Sequence, residues 1–240
     1  GGGLNRWITN YLAADTTHHH LVLRSVGDRT AFGQQIALYG SADMTVPLRT
    51  WVLAKPILST VVSQLEYECL LAEVVSEFNV ESLVVSSFIG HSLDLLRSGL
   101  PTTLVLHDFF PFCPALYACF GTPCETCDST SLKACRLENP LYSFFDHEDH
   151  EHWLSIRSAY TGLLLAGRPL IVAPTQSVVD RYFALQPPLL DQKEQLFHWL
   201  FLAFALVFFQ LFRSLLKKLR KQLAGSKGEE ISASRNLFYR

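Results

Sequence analysis

Between residues 82 and 106 a buried-type apolar run (SLVVSS), a short helical stretch over 92–98 closed by Gly99, and a second apolar run over 102–106 follow one another with short connections. Parallel strands cannot be joined by a tight hairpin and need a crossover, which a helix supplies. The order therefore predicts a βαβ unit within a parallel sheet. Further runs suit the same sheet: 21–26 (LVLRSV), 35–39 (QIALY) and 169–173 (PLIVA), separated by polar residues and glycine. Helical spacing surrounds them, in Leu4, Trp7, Ile8, Tyr11 and Leu12, and again over 57–78 after Pro56. Residues 146–164 open with DHEDHE, negative charge at the positive end of a helix dipole, and 178–185 form a helix that Thr175 or Ser177 can cap.

A chain of 240 residues, 49% of them apolar, can bury a sizeable core as one large domain or as a medium domain with an appendage. Its net charge of −2 gives no basis for non-specific attraction to nucleic acid, so none is expected as a partner, and any phosphate recognition must be local. Gly1-Gly2-Gly3 leads directly into the first helical pattern, so the start reads as no secretory signal, and without a Met it reads as a fragment. The glycines could let a phosphate approach the N-terminus of that helix, or they are a plain loop.

The run over 102–106 ends in the polar pair His107-Asp108. Open α/β sheets hold ligands in the crevice outside the carboxyl ends of their strands. Residues 104–135, LVLHDFFPFCPALYACFGTPCETCDSTSLKAC, are therefore the first place to expect chemistry.

Five of the six cysteines lie in that stretch, with one CxxC at Cys124 and Cys127. In a reducing compartment this density reads as metal ligands or a redox pair more than as a disulfide framework. Cys119, Cys124, Cys127 and Cys135 are the expected ligands of a structural zinc, because Cys113 stands between Pro111 and Pro114 and belongs to the His107-Asp108 element. A disulfide and free thiols are the alternatives. A long loop with few large apolar residues after Phe120 needs some staple, which a metal would supply. His147, His150 and His152 either complete that site or form a solvated first turn; His18-His19-His20 read as a solvated turn, and Cys69 as a core cysteine.

Composition changes at Gln186-Pro187-Pro188. Residues 196–212 (LFHWLFLAFALVFFQLF) are almost wholly apolar and are followed by RSLLKKLRKQ. Such a segment rises about 25 Å as a helix, against a hydrocarbon core of roughly 30 Å. It either spans a membrane, lies in the interface, or packs on a partner. A single span from a cytosolic domain would leave the basic cluster on the far side, against the positive-inside tendency. An in-plane anchor with Lys217, Lys218, Arg220 and Lys221 on anionic headgroups suits the charge better. Residues 225–240 read as a polar tail.

Several of these elements together resemble a known family. Gly1-Gly2-Gly3 before a helix, Gly90-His91-Ser92 with Leu95, the Gly99-Leu100-Pro101 turn, LVLHDFFPFCP and IVAPTQSVVDRY are similar, in order and spacing over residues 1–185, to the N-terminal half of a family 4 glycosyltransferase of the GT-B type. The resemblance implies an α/β fold, a Rossmann-like doubly wound parallel sheet forming one half of a GT-B fold, with a cysteine-rich insertion over 113–140; the apolar then basic helix over 186–224 is read from composition and lies beyond it. The resemblance also implies a nucleotide sugar as donor and a glycan or lipid-linked acceptor. It places Gly1, Gly2 and Gly3 against the donor diphosphate, Gly90, His91, Thr175 and Ser177 among the substrate-binding residues, and His107 in the catalytic cleft, with Asp108 steering its imidazole. A cytoplasmic enzyme, peripheral at the inner face of a membrane and engaged in polysaccharide synthesis, would follow. The sequence opens at the glycine turn, so the family's first strand lies outside it, and the paired-glutamate element of the nucleotide-binding half has no counterpart after residue 185. That half would have to come from a second domain or a partner subunit. A non-catalytic docking remnant and a metal- or redox-active protein built on the cysteines are the rival readings.

Overall fold

The computed structural model describes residues 2–27, 33–40, 43–145, 148–167, 169–173, 175–192 and 235–239. In chain order these form α1 (Gly2–Ala14), β1 (His19–Val26), β2 (Gln35–Tyr39), β3 (Arg49–Val52), β4 (Thr60–Val61), α2 (Leu65–Phe78), β5 (Ser82–Val85), β6 (His91–Ser92) and β7 (Thr102–Val105). They continue with β8 (Cys119–Phe120), β9 (Thr122–Pro123), α3 (Ser129–Glu138), α4 (His150–Gly167), β10 (Leu170–Val172), α5 (Gln176–Leu185) and β11 (Arg235–Tyr239). The fold is α/β, built on a seven-stranded sheet in the order β10-β7-β5-β11-β1-β2-β3. Pairing is parallel from β10 to β1, and β2 and β3 add an antiparallel edge.

Side chains alternate across a strand, and here the alternation sorts them into two layers. Leu21, Leu23, Ile36, Leu38, Leu83, Val85 and Leu104 face the larger core, which α2, α4 and α5 close with Tyr67, Trp153 and Tyr182 among others. Val22, Ala37, Tyr39, Val84 and Val105 face the opposite side, where Trp7, Tyr11 and Leu12 of α1 cover them. This double covering is what lets the strands read as near-continuous apolar runs.

The strand runs expected at 21–26, 35–39, 82–87, 102–106 and 169–173 each contain an observed strand. The helix expected over 57–78 starts only at Leu65, because Thr60–Val61 pair in parallel with His91–Ser92 and Gln64 is still extended. Within α2 the buried stripe is Tyr67, Leu70, Leu71 and Val74, offsets of three, four and seven. Cys69 falls off that stripe and is exposed, so its expected place in the core is corrected. The 92–98 helix is a 3-10 turn over Leu93–Arg97, with the Ser92 hydroxyl accepting the Asp94 N–H at 3.2 Å. The histidine triplet is also more than a solvated turn: His19 and His20 open β1, and the His18 and His20 rings both reach Asp15 Oδ2, at 2.7 and 3.3 Å.

β11 changes the reading of the tail. Residues 235–239 occupy the slot between β1 and β5, parallel to both, with Leu237 opposite Leu21 on one side and Leu83 on the other. The polar tail expected over 225–240 therefore ends in a sheet strand. The apolar segment at 196–212 and the basic cluster after it lie outside the described residues. Among the described residues no helix is long and apolar enough to cross a membrane.

Candidate functional site

The carboxyl ends of β5 and β7 open on a small crevice lined by Ser86, Ser87, Phe88, His107, Asp108 and Phe110, with the last apolar residues of β7 as its floor. The strands run in parallel here, so the chain leaves each at the same edge and turns its first polar residues into that crevice.

α1 runs against the strand direction. Its Trp7 meets His107, beyond the carboxyl end of β7, whereas Tyr11, one turn later, lies beside His20 at the amino end of β1. Gly2 and Gly3 in the first turn of α1 thus point toward the carboxyl edge, where the helix presents unpaired N–H groups and the positive end of its dipole. Gly1 lies outside the described residues.

The His107 imidazole stands edge-on to the Trp7 ring, centroids 4.9 Å apart at 71°. Its Nε2 is buried and makes no hydrogen bond among the described residues. Burial alone holds the ring's pKa below the ordinary histidine value, so the neutral form is favoured at pH 7. Asp108 is pushed up to about 6 by burial, opposed by the Phe110 N–H that its Oδ1 accepts at 2.8 Å. Among the described residues the hydrogen bond of Asp108 goes to the Phe110 N–H and none goes to His107, so the role expected for it of steering the imidazole is corrected; its charge instead adds to burial in raising the pKa of the buried hydroxyl pair of Tyr160 and Tyr182, 2.8 Å apart.

Ser86 was missed in the sequence. Its hydroxyl is buried in the crevice wall with no partner among the described residues. A polar pair directly after an apolar run was the available signal; as Ser86-Ser87 it read as the end of the strand. Trp7 likewise shows in the sequence only as part of a helical stripe.

The other expected binding residues are dispersed. Gly90 (φ 76°) makes a turn whose N–H donates to the Ser59 carbonyl at 2.7 Å. His91 is fully buried, its Nδ1 2.7 Å from the Tyr67 hydroxyl and its Nε2 accepting the Ser25 N–H at 3.3 Å. Both ring nitrogens are committed, so His91 ties β1 to α2 and is corrected as a substrate contact. Thr175 caps α5, accepting the Val178 N–H at 3.4 Å, and lies 2.9 Å from the Ser177 hydroxyl. Both are exposed beyond the carboxyl end of β10, the strand next to β7.

Of the cysteines, Cys119 lies in the β8–β9 hairpin, Cys124 and Cys127 in the following loop and Cys135 in α3, and all are free. Burial raises Cys113 to about 12 and pushes Cys124 and Cys135 up as well; the Cys127 and Cys135 thiols add to the rise at Cys113 and Cys124. Among the described residues no three histidine, cysteine or acidic side chains stand at metal-holding geometry. His147 lies outside the described residues, and His152 Nδ1 is 3.6 Å from the Glu148 carboxylate.

No family model, no curated protein and no solved structure matches the chain.

Proposed function

We propose that the chain is the acceptor-side half of a sugar-nucleotide-dependent glycosyltransferase, a Rossmann-like doubly wound domain of the GT-B kind. The carrying observation is the convergence of the α1 N-terminus with His107 and Ser86 at one carboxyl edge of a parallel sheet. Displacement at an anomeric carbon builds negative charge on a diphosphate leaving group. N–H donors fixed at a helix N-terminus stabilise that charge without reorganising. A neutral imidazole whose Nε2 is unbonded among the described residues is suited to hold a sugar hydroxyl by hydrogen bonding. The Ser86 hydroxyl, unpartnered among the described residues, offers a second polar anchor in the same wall. A lipid-linked acceptor would suit the apolar and basic segments over 196–221, which would seat the domain at the cytoplasmic face of a membrane.

The test is a panel of nucleotide sugars and nucleoside diphosphates added to the full chain while the His107 imidazole and Gly3 amide resonances are followed by NMR. A nucleoside diphosphate should move both, and His107→Ala should lower turnover in the presence of the nucleotide-binding half by about 100-fold, the usual worth of a positioned side chain in catalysis, without unfolding the domain. Undisturbed resonances with every diphosphate would overturn the reading. Disturbed resonances with unchanged turnover in His107→Ala would favour the docking role instead.

A further inference from the structure

In the sheet order β10-β7-β5-β11-β1-β2-β3, β5 and β1 pair with β11 and not with each other. The sheet is therefore two pieces, β10-β7-β5 and β1-β2-β3, joined among the described strands through β11. Asn236, Leu237, Phe238 and Tyr239 stand level with His20, Leu21, Val22 and Leu23 on one side and with Ser82, Leu83, Val84 and Val85 on the other. One short segment sets the register between the pieces.

α1 spans the same junction on one face. It runs from His107, beyond the carboxyl end of β7, to His20 at the amino end of β1, and it covers Val84 and Val105 of one piece and Val22 of the other. Since β5 and β11 lie between β7 and β1, the helix crosses both. From β1 the chain passes to β5, β7 and β10, moving one way along the sheet, and α2 and α4, the helices of these connections, lie on the larger core. A step from β11 to β1 moves the other way, and α1 lies on the other face. Reversing both direction and face keeps the hand, and parallel crossovers within a sheet are right-handed in about 98% of cases. Tyr239 closes β11 at the carboxyl edge, where Gly2 opens α1. β11, α1 and β1 thus have the arrangement of a β–α–β unit, although almost the whole chain separates its first strand from its helix.

We infer that Arg235–Tyr239 is a docking strand: seated between β1 and β5, it completes a β–α–β unit with α1 and β1 and so fixes the first turns of α1, with Trp7, over the exit of β7. The contact it governs is the one between Trp7 and His107, because the two rings belong to different pieces of the sheet. The inference rests on topology and register and is independent of the transferase reading.

Two full-length variants test it by NMR. In Leu237→Pro the strand loses a backbone N–H and cannot stay paired on both sides. The domain should remain folded, as read from the Trp153 indole resonance, whereas the His107 ring should leave Trp7 and titrate nearer the ordinary value of about 6.5. Adding the peptide of residues 231–240 should seat a strand in the slot and return the His107 shifts to those of the parent. The second variant is a permutant that keeps every residue, with Arg240 joined to Gly1 and the chain opened between Gly225 and Ser226. Only Arg240 and Gly1 then stand between β11 and α1, a connection within the usual range of about two to six residues. It should fold with the parent's His107 shifts. An unfolded Leu237→Pro chain, His107 shifts that are unchanged in it or not restored by the peptide, or a permutant that fails to fold would each overturn the inference.

Discussion

The His107 imidazole meets the Trp7 ring edge-on at 4.9 Å, joining the exit of β7 to the first turns of α1. Trp7 is thus a wall that keeps water from the imidazole, and burial is the cause of its lowered pKa. Trp7→Ala should return that pKa upward toward the ordinary value of about 6.5. Histidine ring shifts followed by NMR against pH would measure it; an unchanged titration would show that other walls exclude the water.

Asp108 supplies a pH dependence with a definite sign. Its pKa rises from 3.8 to about 6 on folding, so the folded state holds the proton more tightly than the unfolded chain. That contribution is complete below the unfolded value and is lost as pH rises through about 6. Asp108→Asn keeps an oxygen for the Phe110 N–H but cannot ionise. It should stabilise the protein above pH 7 by up to about 3 kcal/mol, with the gain vanishing toward pH 4. Urea midpoints across that range would show it, and a gain independent of pH would contradict burial of an ionised carboxylate as the cause.

His91→Phe should separate a structural tie from a binding residue. The substitution removes both partners of the His91 ring and strands the buried Tyr67 hydroxyl. A loss of about 2–4 kcal/mol in unfolding free energy is expected from two broken buried hydrogen bonds and one unsatisfied hydroxyl. Ligand perturbation at His107 should be unaffected, since His91 lies outside the crevice.

Removing residues 235–240 should expose the facing backbones of β1 and β5. Amide exchange of Leu21, Leu23 and Val84 should then rise well above that of Leu83, whose N–H donates to the Pro101 carbonyl on the β7 side, and of Leu104, whose strand keeps β10 as a neighbour. Equal protection in the truncated chain would mean that the two strands close on each other.

Local pattern carried the strands and most helices into view, because each announces itself by its own period. The carboxyl-edge rule also led to His107. What escaped notice depends on distance through space. Leu237 pairs with both Leu21 and Leu83, yet parallel pairing leaves no mark in the residues around it, and the neighbourhood of RNLFY reads as polar. Trp7 looked like any stripe residue until the fold set it against an imidazole. Gly90-His91 stands as a binding element only through the family resemblance, and the burial of His91 beside Tyr67 gives it a different task. Cys69 erred for a simpler reason: apolar neighbours in sequence do not share a helix face.

The place of β11 also imposes an order of events during synthesis. β1 and β5 are complete as polypeptide long before Arg235–Tyr239 are made, and the rung that joins them arrives after every other described strand. Through that interval a nascent chain carries two unpaired parallel edges, each a template for a foreign strand. Such a chain has reason to depend on a chaperone, or on slow passage through 193–234, until its own segment closes the gap.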